Sequence, residues 1–306
     1  MPYDDSSVNI DDIAPVVHVG HCIEVLKTLP ADHFHTCVTS PPYFGLRNYG
    51  VDGQIGLEPT PDEFVAGLVE VFREVGRVLR PDGTLWLNLG DSYSSGGRKT
   101  QVSDNNGNRG RTYTNRPNDG AKPKDLLMIP SRVALALQAD GWYLRSHIVW
   151  HKPNVMPESV KDRPTNAHES IFLLTRSAKY YYDADAVKEP ETCGRKRGPA
   201  LHPDLLSTNG NSGLARREST GFRNLRNVWT VPTKPFRGAH FATFPPELIE
   251  PCIKAGSPVG GHVLDPFGGS GTTGLVAKRL QRQADLIELN PEYAELARAR
   301  IAADLE

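Results

Sequence analysis

An α/β fold built on a mostly parallel sheet, with helices on both faces, is what this sequence predicts from three observations. Apolar runs of strand length alternate with a segment of helical periodicity, in the order strand, helix, strand, between residues 34 and 89. A glycine-rich stretch at residues 265–273 joins an apolar run to a helix-like segment, as the strand-to-helix turns of such sheets do. The chain has 306 residues, 38% hydrophobic and 23% charged. That is enough for one large domain with an insertion, or for two domains.

Residues 16–20 read as a short buried strand and residues 22–29 as a helical turn or two ended by Pro30. Residues 34–38 form the strand that delivers Thr39-Ser40-Pro41-Pro42-Tyr43. There the chain must leave the sheet, because neither proline nitrogen has a hydrogen for the ladder. The two rings fix φ and restrict the residue before them, so the turn holds a hydroxyl, a carbonyl and an aromatic ring in nearly constant relation. Gly45, Asn48, Gly50, Gly53 and Gly56 make the following stretch a loop able to act as a lid.

Thr60-Pro61-Asp62-Glu63 is a capping box with proline at the first helical position, and Phe64, Leu68, Val71, Phe72, Val75, Val78 and Leu79 follow at helical spacing. Pro81-Asp82-Gly83 is a turn, and residues 84–89 are a strand ending at Gly90-Asp91. Hydrophobicity vanishes over residues 94–124, which read as a long mobile loop without regular structure. A helix over 130–139 leads to a strand over 142–150, and another strand covers 171–175. Residues 188–228 are a second polar stretch. Regular structure returns with strands at 228–231 and 262–264, helices at 246–255 and 274–280, an apolar run at 284–287, and a last helix capped by Asn290-Pro291.

The net charge of −1 favours no polyanionic partner on average. From residue 188 to 240, however, ten Lys or Arg stand against four acids, a local balance of +6. Such a segment is either a solvated basic loop or a phosphate-backbone contact. Cys22, Cys37, Cys193 and Cys252 lack the spacing of a zinc site or a disulfide framework. No apolar run approaches the roughly 18 residues of a membrane span, and the polar, acidic start is unlike a signal peptide. A cytoplasmic protein is expected.

Two stretches carry chemistry. Gly269-x-Gly271-x-x-Gly274 lets a ligand approach the backbone and meet a helix N-terminus. Glu288 lies 19 residues beyond Gly269, at the end of the next apolar run, where a ribose-binding carboxylate belongs. Taken alone, these residues suit a nicotinamide-dependent oxidoreductase as well as any other nucleoside binder. The Ser40-to-Tyr43 turn, taken alone, is either a polar-aromatic site or an ordinary Pro-Pro turn with a packed tyrosine.

Together, Phe267-x-Gly269-x-Gly271 and Ser40-Pro41-Pro42-Tyr43 resemble the S-adenosylmethionine-dependent DNA amino-methyltransferases that act on cytosine N4 or adenine N6. The order, SPPY before FxGxG, is similar to the permuted β group. The 77–83 segment, Trp150-His151-Lys152-Pro153, the 240–245 segment and Glu288-Leu289-Asn290 extend the resemblance over most of the chain.

The resemblance implies a circularly permuted, Rossmann-like methyltransferase fold with an inserted DNA-recognition region. Residues 1–187 would be the catalytic part, 188–228 the target-recognition region and 229–306 the cofactor-binding part. Ser40 Oγ and the Pro41 carbonyl would accept the hydrogens of the target amino group, beside Pro42, while Tyr43 stacks on a base flipped out of duplex DNA. S-adenosylmethionine would lie on Phe267, Gly269, Gly271 and Thr272, with Asp265 near its amino group, Glu288 on its ribose, and His240 and Thr243 at its methionine end. Arg195, Lys196, Arg197, Arg216, Arg217 and Arg223 would contact DNA, and no metal is called for. Ser in the first position of the motif leans toward cytosine N4, with adenine N6 as the alternative. A cognate restriction endonuclease is the implied partner, and monomer and homodimer both stay open. A DNA-binding module with an inactive site is the competing reading. The family often has Gly-Asp where this chain has Gly20-His21, which leaves that cofactor contact unassigned.

Overall fold

The computed structural model describes residues 14–46, 51, 53–94, 99–102, 112–115, 121–191, 221–234 and 244–304. Its elements in chain order are β1 (Val16–Val19), α1 (Cys22–Thr28), β2 (Phe34–Thr39), α2 (Pro61–Val78), β3 (Leu79–Leu89), β4 (Lys99–Val102), β5 (Thr112–Asn115), α3 (Ile129–Ala139), β6 (Tyr143–His151), β7 (His168–Thr175), β8 (Glu189–Pro190), β9 (Phe222–Arg223), β10 (Val228–Thr230), α4 (Pro246–Gly256), β11 (His262–Asp265), α5 (Thr272–Arg279), β12 (Gln283–Glu288) and α6 (Pro291–Ala303).

Eight strands form one sheet in the order β1-β12-β11-β2-β3-β7-β6-β10. Neighbours from β1 to β3 are parallel, β7 runs antiparallel to both β3 and β6, and β10 is parallel to β6. Alternation along each strand sends side chains to two cores. Leu85, Leu87, Phe172, Leu174 and Leu264 meet α1, α2 and α3 on one face. Trp86, Ile171, Leu173 and Val263 meet α4, α5 and α6 on the other.

The N-cap half of the expected capping box forms, with Thr60 Oγ1 accepting from the Glu63 amide at 3.2 Å ahead of α2. Asn290 caps α6 through the Glu292 amide at 2.9 Å. Cys22, Cys37 and Cys252 are buried free thiols. Among the described residues no helix is long and apolar enough to cross a membrane.

Three expectations change. The 94–124 segment is not wholly irregular, since β4 and β5 pair antiparallel from Lys99↔Asn115 to Val102↔Thr112. The threonines, valine and tyrosine of those eight residues are strand formers within a polar composition. The turn at Pro81-Asp82-Gly83 lies inside β3, where pairing with β2 jumps from Phe34↔Leu79 to Thr36↔Thr84. Its prolyl and glycyl residues interrupt the ladder without ending the strand. The proposed recognition segment is pinched at its neck, where Glu189 pairs with Arg223 and Pro190 with Phe222.

β2 and β11 are adjacent at the centre of the sheet, with Val263↔Thr36 and Leu264↔Cys37. The chain leaves β2 through α2 toward β3 on one side, and leaves β11 through α5 toward β12 on the other. That reversal opens a crevice at the carboxyl ends of the strands.

Candidate active site

The SPPY turn follows β2 and the glycine turn follows β11, so parallel pairing puts two stretches more than 220 residues apart side by side. Asp265 fastens them. Its carboxylate accepts from Thr39 Oγ1 at 2.6 Å, Thr273 Oγ1 at 2.6 Å and the Phe267 amide at 3.0 Å. Burial raises its pKa, and these three donors oppose the shift. At 2% exposure Asp265 lies behind the wall of the site and ties both turns to α5.

A cavity of about 350 Å³ occupies the crevice, within the size range of ligand pockets. Gly20, His21 and Cys22 line it from the end of β1, Ser40 to Tyr43 from β2, and Phe267, Gly269 and Ser270 from β11. Ile287 to Asn290 close the end of β12, and Leu46, Val51, Gly53, Gln54 and Ile55 from the expected lid segment form a further wall. Gly45 N bonds Gly56 O at 2.8 Å and holds that segment over the SPPY turn.

At one end of the cavity Glu288 Oε2 accepts from the Gly269 amide and Oε1 from the Asn290 amide, each at 2.9 Å. Burial raises the pKa of this carboxyl, against the pull of those amides. An ionised carboxylate has lone-pair capacity beyond these amide bonds to accept from a ligand hydroxyl. The glycines divide their duties. Gly269, at φ +50°, has nothing nearer than 3.8 Å to an added Cβ, whereas one at Gly271 would meet Ala297 Cβ at 2.9 Å and one at Gly274 would meet Leu286 Cδ1 at 2.8 Å. Gly269 therefore opens the backbone to the cavity, while Gly271 and Gly274 admit α6 and β12. Thr272 turns inward, and its Oγ1 lies 2.8 Å from Nη1 of the buried Arg300.

At the other end the SPPY residues join a polar group. Tyr43 Oη donates to Glu169 Oε2 at 2.6 Å. Ser40 Oγ lies 3.4 Å from Tyr43 Oη, and Asn88 Nδ2 lies 3.3 Å from Ser40 Oγ, 2.8 Å from Tyr43 Oη and 3.0 Å from Glu169 Oε2. Lys152 Nζ pairs with Glu169 Oε1 and sits 4.5 Å from the centroid of the Trp150 ring. Burial, then the Glu169 charge, pushes the Tyr43 phenol well above its ordinary range, so the hydroxyl stays a donor. Phe44 is buried in the opposite direction, with its ring centroid 5.6 Å from that of Phe64.

The structure thus brings Ser40, Pro41, Pro42, Tyr43, Phe267, Gly269 and Glu288 to one cavity, while Asp265, Gly271 and Thr272 support it from behind. His240, Thr243, Arg195, Lys196, Arg197, Arg216 and Arg217 lie outside the described residues. Arg223 donates to Glu189 Oε1 at 2.7 Å, and Arg226 reaches the same oxygen at 2.6 Å. Asn88, Glu169 and Lys152 were not singled out as site residues from sequence. Their signal was polarity out of place: Asn88 within an apolar strand, and Glu169 at the head of another. Lys152 falls in the Trp150-to-Pro153 segment, which carried a resemblance but no role.

A family model described as DNA methylase, of the N6/N4 methyltransferases, matches residues 34–299. The chain is 52% identical over 287 residues to the type II methyltransferase M.Cfr9I of Citrobacter freundii, covering 93% of this chain and 87% of that protein. It is 49% identical over 285 residues to M.SmaI of Serratia marcescens, covering 92% and 89%. Among solved structures, a putative DNA modification methylase of Thermus thermophilus complexed with S-adenosyl-L-methionine superposes with a TM-score of 0.60 at 26% identity, covering 95% of each chain. The PvuII DNA methyltransferase, cytosine-N4-specific, shares the fold with a TM-score of 0.65 at 20% identity, covering 95% of this chain and 91% of that one.

Proposed function

Since the chain belongs to the DNA methylase family of N6/N4 amino-methyltransferases, we propose that it is a type II enzyme that methylates the exocyclic N4 of cytosine in duplex DNA. S-adenosylmethionine is the donor in this reading, and it supplies a methyl group on a positively charged sulfur. The observation that carries the proposal is the shared cavity, with the Glu288 carboxylate at one end and the Ser40-to-Tyr43 turn at the other. The residues present suit a nucleoside with an extended polar chain. Glu288 has lone pairs left for ribose hydroxyls, Phe267 and Ile287 supply apolar wall, and Gly269 leaves room beside the backbone.

The amino group of cytosine is a poor nucleophile because its lone pair is conjugated with the ring. Acceptors for its two hydrogens draw the nitrogen toward tetrahedral geometry; Ser40 and Pro41 line the cavity, and in this reading Ser40 Oγ and the Pro41 carbonyl are those acceptors. Tyr43, held by Glu169 and Asn88, offers its ring to a base flipped into the cavity. Catalysis is then positioning and electrostatic preorganisation, with no covalent enzyme intermediate. His240 and Thr243 at the methionine end, and the basic residues of 188–228 on the DNA backbone, complete the reading. Cytosine is favoured over adenine by Ser40, through the resemblance of its motif alone. The relatives' designation as type II enzymes supports a role beside a cognate endonuclease.

Incubating the protein with duplex DNA and labelled S-adenosylmethionine, digesting the DNA to nucleosides and identifying them by mass spectrometry tests this directly. N4-methylcytosine is expected. N6-methyladenine would reassign the base and keep the chemistry, whereas tight DNA binding without methyl transfer would leave an inactive binding module.

A further inference from the structure

Methylation of an amino group must dispose of a proton, and the site contains a hydrogen-bonded chain that ends on a carboxylate. Ser40 Oγ lies 3.4 Å from Tyr43 Oη, and Tyr43 Oη donates to Glu169 Oε2 at 2.6 Å. Each hydroxyl can give its proton to the next oxygen while taking one from behind. The first contact is long for an O–H···O bond, as catalytic contacts often are before substrate arrives.

We propose that Glu169 is the terminal proton acceptor of methyl transfer, reached from the target amino group through Ser40 and Tyr43. The inference rests on the methyl-transfer reading above. As the N–CH3 bond forms, the S–CH3 bond breaks with its electron pair left on sulfur, and the amino nitrogen becomes positively charged. It sheds one proton to Ser40 Oγ. Ser40 gives its own proton to Tyr43 Oη, and Tyr43 gives its own to Glu169 Oε2. Serine and tyrosine end as they began, and the carboxylate ends protonated.

Three features suit Glu169 to this part. Its side chain is 14% exposed and that of Lys152 17%, so bulk water is largely kept from competing for the proton. Among the described residues, the titratable groups that face it are Lys152, from the segment after β6, and Tyr43, from the segment after β2; Asn88 on β3 is neutral. Lys152 Nζ occupies Oε1, which leaves Oε2, the oxygen that already accepts from Tyr43, as the receiving atom. Asn88 Nδ2 contacts Ser40, Tyr43 and Glu169 at 2.8 to 3.3 Å and holds the three oxygens in one cluster.

Single-turnover methyl transfer is compared for wild type, Glu169→Gln and Tyr43→Phe across a pH series. Calorimetric affinity for S-adenosylhomocysteine, and the fluorescence of a base analogue at the target position, are measured beside it. Glutamine still accepts from the Tyr43 hydroxyl but cannot take the proton. The expected result is cofactor-product affinity and base opening within about twofold of wild type, with transfer about 100-fold slower. Any fall in rate toward acid pH that wild type shows should disappear in Glu169→Gln, and Tyr43→Phe should show the same two losses. A Glu169→Gln enzyme as fast as wild type overturns the proposal. So does a slow one that keeps the acid limb or has lost ligand affinity, since Glu169 would then only position its neighbours. Wild-type speed in Tyr43→Phe overturns the relay. A wild type that transfers no methyl group sinks the underlying reading as well, which an active wild type with an unaffected Glu169→Gln would not.

Discussion

Tyr43 and Phe44 are neighbours in sequence and point opposite ways, Phe44 into the core under α2 and Tyr43 into the cavity. The two prolines ahead of them stiffen the turn, but its aim is set by partners from β3, from the residue just after β3, and from β7. Gly90 is one of these. A Cβ there would lie 2.4 Å from Tyr43 Cε2 and 2.8 Å from Cδ2, closer than any carbon contact allows. Gly90→Ala should therefore displace the ring, costing about 1–3 kcal/mol of stability in a urea titration and slowing single-turnover methyl transfer about 100-fold. An alanine variant with wild-type transfer would show that the ring's seat on Gly90 is irrelevant to catalysis.

At the scale of elements, the weight falls on the ends of β2 and β11. Sequence places a strand before each turn, but nothing in either stretch announces that Thr39 will bond Asp265 across 226 residues. The acid reads equally well as a ligand contact, which is how the resemblance presents it. Removing it should release both turns at once. Asp265→Ala would leave the Thr39 hydroxyl and the Phe267 amide without their acceptor, and the Thr273 hydroxyl with only the Val38 carbonyl at 3.3 Å. A loss of about 3 kcal/mol or more is expected by chemical denaturation, with weaker binding of S-adenosylhomocysteine by calorimetry. Unchanged stability would mean the clamp is dispensable. The β4–β5 ribbon shows the reverse difficulty. Its few strand-forming residues are too sparse among glycines, asparagines and arginines to raise a local signal above that of a loop.

For the molecule as a whole, the first strand in the chain docks beside the last, β1 on β12, with Val16↔Asp285 through Val19↔Glu288. One sheet therefore holds the strands of the parts expected as catalytic and as cofactor-binding, and β10 (Val228–Thr230) extends it beside β6. The basic stretch belongs to this scale as well, because a phosphate backbone responds to summed charge. Replacing Arg195, Lys196 and Arg197 together with alanine should weaken DNA binding across all sequences and lower the log–log salt slope by roughly one per residue lost. A slope unchanged from wild type in a fluorescence titration would remove that segment from the DNA contact.

Sequence alone determined the two motifs, the strand-to-helix turn that follows β11, the N-cap of α2 and the alternation that makes most of the sheet parallel, because each depends on residues close together in the chain. Proline and glycine geometry, helix capping and side-chain periodicity act over a few residues and can be read there. Only the tertiary structure decided that Asp265 fastens the turns, that Glu169, Asn88 and Lys152 surround Ser40 and Tyr43, and that Gly90 seats the tyrosine ring. Those contacts join strands distant in sequence, and their identity depends on sheet order and register, which no local pattern specifies.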